Sequence, residues 1–250
     1  MHIQGPLCLF YPLAMKKILR YFTPFEWSLW LICVFAILIV FFVTGSTDYL
    51  QLCCAIFGVT SLAFMNKASF FGPILLLAST FFYAYVSYQV AYYGELVISL
   101  ALMAPLEIVS IVSWLTHRYG KKGEQVQINH VNGMEIVFAV LGSALLSFGF
   151  YFLLRHWNTN NLLVSTLSIF TSALGAYFQI RRSRLYALSY GANDLILILL
   201  WTLMCLEDIH FLPMVVYSVS FLANDIYGFI NWTRIQRRQK QKEESKENEE

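Results

Sequence analysis

Strongly polar residues fall inside stretches that are otherwise apolar. Glu107 lies in PLEIVSIVSW (105–114), Asn193 and Asp194 in GANDLILILLW (191–201), and Asn224 and Asp225 in ANDIYGFINW (223–232). Carboxyls and amides set among apolar neighbours are the groups that would hold a flat, hydrogen-bonding and cationic solute, with a Trp face such as Trp201 or the Tyr227 ring beside it. The same groups can instead bond between helices and hold a bundle together. Helix spacing gives the first reading its shape. Glu107 and Asp225 each precede a tryptophan, Trp114 and Trp232, by seven residues, and Asn193 and Asp194 stand seven and eight residues beyond Tyr186. At 1.5 Å per residue all four sit about 10–12 Å from one end of their helices. Asp194 and Trp201, seven apart, are nearly aligned, whereas Asn224, Tyr227, Gly228 and Asn231 share a face of their own.

The elements that must position these groups are membrane spans. The chain of 250 residues is 58% hydrophobic and 13% charged, with mean hydropathy +0.59, against about 25% charged for a soluble domain. Eight apolar stretches are expected to cross the bilayer: 27–44, 50–65, 70–88, 94–116, 135–154, 162–179, 186–205 and 212–232. Alternating ten-residue strands of a membrane barrel are absent. With the N-terminus inside, eight spans place 16 of the 17 basic residues in cytoplasmic segments, leaving only Arg155 outside. Both termini are therefore expected in the cytoplasm.

Spans four and eight match at a shift of 118 residues: Glu107 meets Asp225, Ser113 meets Asn231 and Trp114 meets Trp232. The same shift lays span three on seven and span two on six. Spans two to four (50–118) and six to eight (161–234) thus form parallel triples, a transporter device with the solute held between halves. Span five lies in the linker 119–160, and the first span (27–49) is an addition. Residues 1–26 are expected to be a cytoplasmic segment and 235–250 a disordered cytoplasmic tail. No cleaved signal peptide is expected, and Met15 is a second candidate start. In span three, Tyr83, Tyr85 and Gln89 are candidates for an outer vestibule; Glu95, Glu135, Glu207 and Asp208 read as interface residues at span ends.

Enzyme chemistry has little to work with. His2, His117, His130, His156 and His210 fall in loops or tails, no metal cluster is expected, and there is no HExxH, GxGxxG, Walker or GxSxG motif. The cysteines form no CxxC pair and read as packing residues. No cofactor or nucleic-acid partner is implied. An intramembrane enzyme using Glu107 and Asp225, or a receptor, stands as the remote alternative.

The runs SFLANDIYGFINWTR (220–234), GANDLILILLW and YYGELVISL (92–100) resemble the PnuC family of vitamin-precursor transporters. That resemblance implies a three-plus-one-plus-three SWEET-like core, a homotrimer, and nicotinamide riboside carried by facilitated diffusion and retained through phosphorylation by a cytoplasmic kinase. It places Asn193, Trp201 and the Asn224–Tyr227 segment against the substrate. The set expected at the solute is therefore Gln89, Glu107, Asn193, Asp194, Trp201, Asn224, Asp225 and Tyr227. Two positions depart from the family pattern: FFGPIL (70–75) has Leu75 in place of an amide, and PLEIVS has Glu107. Relatives take thiamine, riboflavin or deoxynucleosides, so these solutes, and a proton-coupled symporter on the same scaffold, remain alternatives.

Overall fold

The computed structural model describes residues 21–120, 125–159 and 161–247. The expectations for the segment up to Arg20, for Lys121 and Lys122, and for the last three residues lie outside the described residues. Among the described residues, eight helices are long and apolar enough to cross a membrane. They are α1 (Pro24–Val43), α2 (Tyr49–Asn66), α3 (Phe71–Gln89), α4 (Tyr93–Thr116), α5 (Gly133–His156), α6 (Leu162–Ile180), α7 (Leu185–Glu207) and α8 (Leu212–Glu247). A short antiparallel hairpin, β1 (Arg118–Tyr119) with β2 (Gln125–Val126), lies between α4 and α5.

Local chemistry starts these helices. Thr23 and Glu26 form a capping box ahead of α1, with Pro24 in the first turn. The Asp48 side chain accepts from Leu50 and Gln51 N–H at α2, and that of Asn132 accepts from Glu135 N–H at α5. Helix α4 is interrupted by a π-helical stretch, Ile98–Met103, ahead of Pro105. Such widened turns mark functional sites more often than chance allows.

The two triples face each other reciprocally. Trp232 Nε1 donates to Met65 O at 2.7 Å, and Trp114 Nε1 donates to Gln179 O at 2.9 Å. Asn231 Nδ2 donates to Asn66 O, and Ser113 Oγ to Ile180 O, both at 2.7 Å. The donors are 118 residues apart, as the sequence match gives, but the acceptors are 114 apart. Helices α2 and α6 end in the same way, each on a left-handed residue, Ala68 (φ 55°) and Arg182 (φ 54°). The N–H groups of those residues bond Met65 O and Gln179 O. A single shift of 118 is therefore corrected to two registers: 114 for α2 on α6 and α3 on α7, and 118 for α4 on α8. Helix α7 is 23 residues long against 19 in α3, and those four extra residues are one helical turn.

The tail also differs from expectation. Instead of a disordered segment from Ile235, α8 continues to Glu247. Gln239 is buried there; its amide donates to Val126 O at 3.0 Å and its carbonyl accepts from Ile128 N–H at 2.9 Å. Lys, Arg, Gln and Glu are good helix formers, and this contact gives them something to dock on.

Candidate functional site

Three helices of each triple enclose a central cavity with about 90 Å³ of free space, room for several waters at roughly 10–15 Å³ each. Helix α3 presents Leu76, Ser79, Thr80 and Tyr83; α7 presents Tyr190, Asn193, Asp194 and Leu197. These are the same four positions at a spacing of 114. Helix α4 presents Ser99, Met103 and Glu107, and α8 presents Tyr217, Phe221 and Asp225, here at 118. The residue standing where Asn193 stands in the other triple is thus Ser79, not Leu75.

Of the eight residues expected at the solute, Glu107, Asn193, Asp194 and Asp225 come together on this cavity. The other four do not line it. Gln89 ends α3 and is exposed. Asn224 and Tyr227 share a helical face, as expected, but that face turns toward α1 and α2. Asn224 accepts from Asn66 Nδ2 at 3.3 Å and donates to Ser220 O, while Tyr227 OH donates to Glu26 Oε1 at 2.8 Å. Gly228 permits this approach, since a Cβ there would lie 2.5 Å from Asn66 Oδ1. Trp201 acts one step back: its Nε1 donates to Tyr83 OH at 3.2 Å, and Tyr83 OH donates to Glu95 Oε2 at 3.3 Å.

Glu95 is the residue that sequence reasoning assigned elsewhere. It is 3% exposed and lines the cavity. In an unbroken α-helix, positions 95 and 107 lie about 120° apart around the axis. The π-helical stretch takes up that angle, so Glu95, Ser99, Met103 and Glu107, four residues apart, fall on one wall. The signal in the sequence was the four-residue spacing itself, in the stretch just before Pro105. Glu135, by contrast, is an end residue, paired with Arg181 and Tyr177.

The wall carries four carboxyls with unspent acceptors. Gln179 Nε2 donates to Glu107 Oε2 at 2.6 Å and to Ser110 Oγ at 3.0 Å, leaving Glu107 Oε1 without a partner. Glu95 Oε1, Asp194 Oδ2 and both oxygens of Asp225 are likewise unpartnered, as is Tyr190 OH. Asn193 Oδ1 is held by the hydroxyls of Ser168 and Thr171 at 3.1 and 2.9 Å. Among the described residues, no lysine or arginine lines the cavity. Buried acceptors left open in this way are costly unless something fills them. Among the described residues no group of His, Cys, Asp and Glu could hold a metal ion.

Residues 48–234 match the family model described as nicotinamide mononucleotide transporter. Over 220 residues the chain is 26% identical to a nicotinamide riboside transporter PnuC of Neisseria mucosa, covering 86% of this chain and 83% of that protein. The crystal structure of a vitamin B3 transporter PnuC superposes with a TM-score of 0.77 at 24% identity, covering 87% of this chain and 94% of that one. That likeness establishes the fold.

Proposed function

The chain belongs to the nicotinamide mononucleotide transporter family, the PnuC carriers, and on that premise we propose that it carries nicotinamide riboside by facilitated diffusion. One observation carries the choice of solute: four carboxyls and, among the described residues, no basic side chain line the cavity. The mononucleotide in the family's description bears a phosphate, which these acids would repel and no cation would receive. The riboside bears a pyridinium, whose charge the acids offset, and a carboxamide and sugar hydroxyls for the amide and tyrosines. Thiamine, with its thiazolium, is the second choice. Neutral riboflavin and deoxynucleosides draw no benefit from the charge.

The same reasoning supports trapping. A cytoplasmic kinase that phosphorylates the riboside makes an anion, and an acid-lined cavity would refuse it on the return path. The loop charges support both termini in the cytoplasm and insertion in the cell membrane, with α1 added outside the two triples. Assembly as a homotrimer follows from the family resemblance and is read by mass measurement of the purified protein in detergent.

Uptake into proteoliposomes tests the proposal. Radiolabelled nicotinamide riboside should equilibrate across the vesicle membrane with equal pH on both sides, and nicotinamide mononucleotide should stay outside. Entry of the mononucleotide at a comparable rate would overturn the charge argument. Absence of flux for every vitamin-type solute would overturn carriage itself.

A further inference from the structure

Glu95 stands apart from the other three acids of the cavity. Glu107 and Asp225 each lie two helical turns from the buried Trp114 and Trp232, and Asp194 faces Asp225. Glu95 precedes Glu107 by twelve residues on α4, as much as about 18 Å along the axis. The register of 118 that pairs Ser99 with Tyr217, Met103 with Phe221 and Glu107 with Asp225 pairs Glu95 with Pro213. One end of the cavity therefore has acids from both triples. The other has a single acid from one of them.

The neighbours of Glu95 differ as well. Tyr83 OH donates to its Oε2 at 3.3 Å and is itself held by Trp201 Nε1 at 3.2 Å. The Ser168 hydroxyl lies beside it, and Oε1 is bare and buried. Asn193 Oδ1 is filled by the hydroxyls of Ser168 and Thr171, so its N–H donors are what it can offer a solute. Tyr217, the first α8 side chain on the cavity, lies against Tyr83 with ring centroids 6.4 Å apart. An open carboxyl oxygen, an amide donor and flat aromatic walls suit a neutral group rich in hydroxyls, because each hydroxyl both gives and takes a hydrogen bond. Helix α4 departs from α-helical geometry to put Glu95 there, and π-helical turns are rare enough for that departure to carry weight.

We propose that Glu95 is the acceptor for the sugar diol of the solute, so that the pyridinium lies against Glu107, Asp194 and Asp225 and the ribose points toward Tyr83. This rests on the riboside reading and adds the residue that tells a riboside from the same base without adjacent hydroxyls. The acids at the other end would take any pyridinium of the right size. A buried acceptor that only a hydroxyl can fill rejects the solute that lacks one, since its oxygen then stays unpaired. The single acid at this end also fixes which way round the solute lies, because Pro213 in the other triple offers nothing equivalent.

The test is titration of the purified full chain with nicotinamide riboside and with its 2′,3′-dideoxy form, which keeps the pyridinium and loses the diol. The unsubstituted chain should bind the dideoxy form about 10- to 100-fold more weakly, the range for hydrogen bonds to a charged group. That gap should narrow in Glu95→Gln, whose neutral oxygen is a weaker acceptor, and close in Glu95→Ala, with each variant checked by thermal unfolding. Glu107→Gln should weaken both ligands and leave the gap at its original size. Equal affinity of the unsubstituted chain for the two ligands, or a gap unchanged in the folded Glu95 variants, would overturn the assignment and leave the riboside reading standing. So would a gap that closed in Glu107→Gln instead, or loss of the fold in both Glu95 variants, which would make Glu95 a structural acid. Failure of the folded, unsubstituted chain to bind the riboside at all would overturn the riboside reading itself.

Discussion

Gln179 ties one oxygen of Glu107 and leaves the other facing the cavity, which separates what this side chain does for the fold from what it does for the solute. Glu107→Gln keeps an acceptor for Gln179 and removes only the charge. A hydrogen bond or contact to a charged group is worth roughly 1.5–3 kcal/mol, so riboside affinity should fall about 10- to 100-fold with little change in unfolding temperature. Gln179→Ala should do the reverse, costing about 1–3 kcal/mol of stability by stranding a buried acceptor. A thermal unfolding series beside ligand titrations reads both; equal loss of stability in the two variants would show that Glu107 is mainly structural. Gly175 offers an indirect probe. An added Cβ would meet the Tyr190 ring at 2.7 Å, and Tyr190 lines the cavity, so Gly175→Ala should weaken binding without touching any group on the solute.

At the scale of elements, the strap between α4 and α5 does the joining. Val126 N–H bonds Ala68 O at 2.9 Å and Asn129 N–H bonds Arg182 O at 3.0 Å. Those carbonyls belong to the matching left-handed residues that end α2 and α6, so the four residues Val126–Asn129 span both triples. Gln239 of α8 clasps the same strap from the other side. Gln239→Ala should leave Ile128 N–H and Val126 O open and speed amide exchange at 126–129 well ahead of the helices; unchanged protection there would mean the strap holds without its clasp. None of this was legible in the sequence, because a polar loop and a charged tail carry no pattern that pairs them. The spans were legible, since bilayer thickness imposes length and composition together. The acids at one depth were legible for the same reason, through rise per residue. Register was not: a four-residue lengthening of α7 preserves the helical face to within about 40°, so a single shift of 118 also laid α3 on α7, one turn away from the register that pairs Ser79 with Asn193. Glu95 escaped because the π-helical stretch breaks the 3.6-residue period on which facing is judged.

At the scale of the whole molecule, the reciprocal bonds make each triple the lock of the other. Trp114 and Trp232 meet with ring centroids 5.4 Å apart, both fully buried, each donating across to the end of the other triple's first helix. The cavity wall is not symmetric in the same way: where α7 carries Asn193 and Asp194, α3 carries Ser79 and Thr80. The frame therefore repeats while the lining differs, which is what a carrier needs if both halves rock alike around a solute with one charged end. Trp114→Phe and Trp232→Phe test the frame apart from the lining. Each keeps the ring and removes one indole donor from a buried carbonyl, so each should cost about 1–3 kcal/mol, and the two costs should be similar although the residues lie in different triples. Riboside affinity should change far less than it does for Glu107→Gln, because neither tryptophan lines the cavity. If one substitution proved nearly neutral and the other severe in unfolding measurements, the two triples would share a geometry without sharing the load.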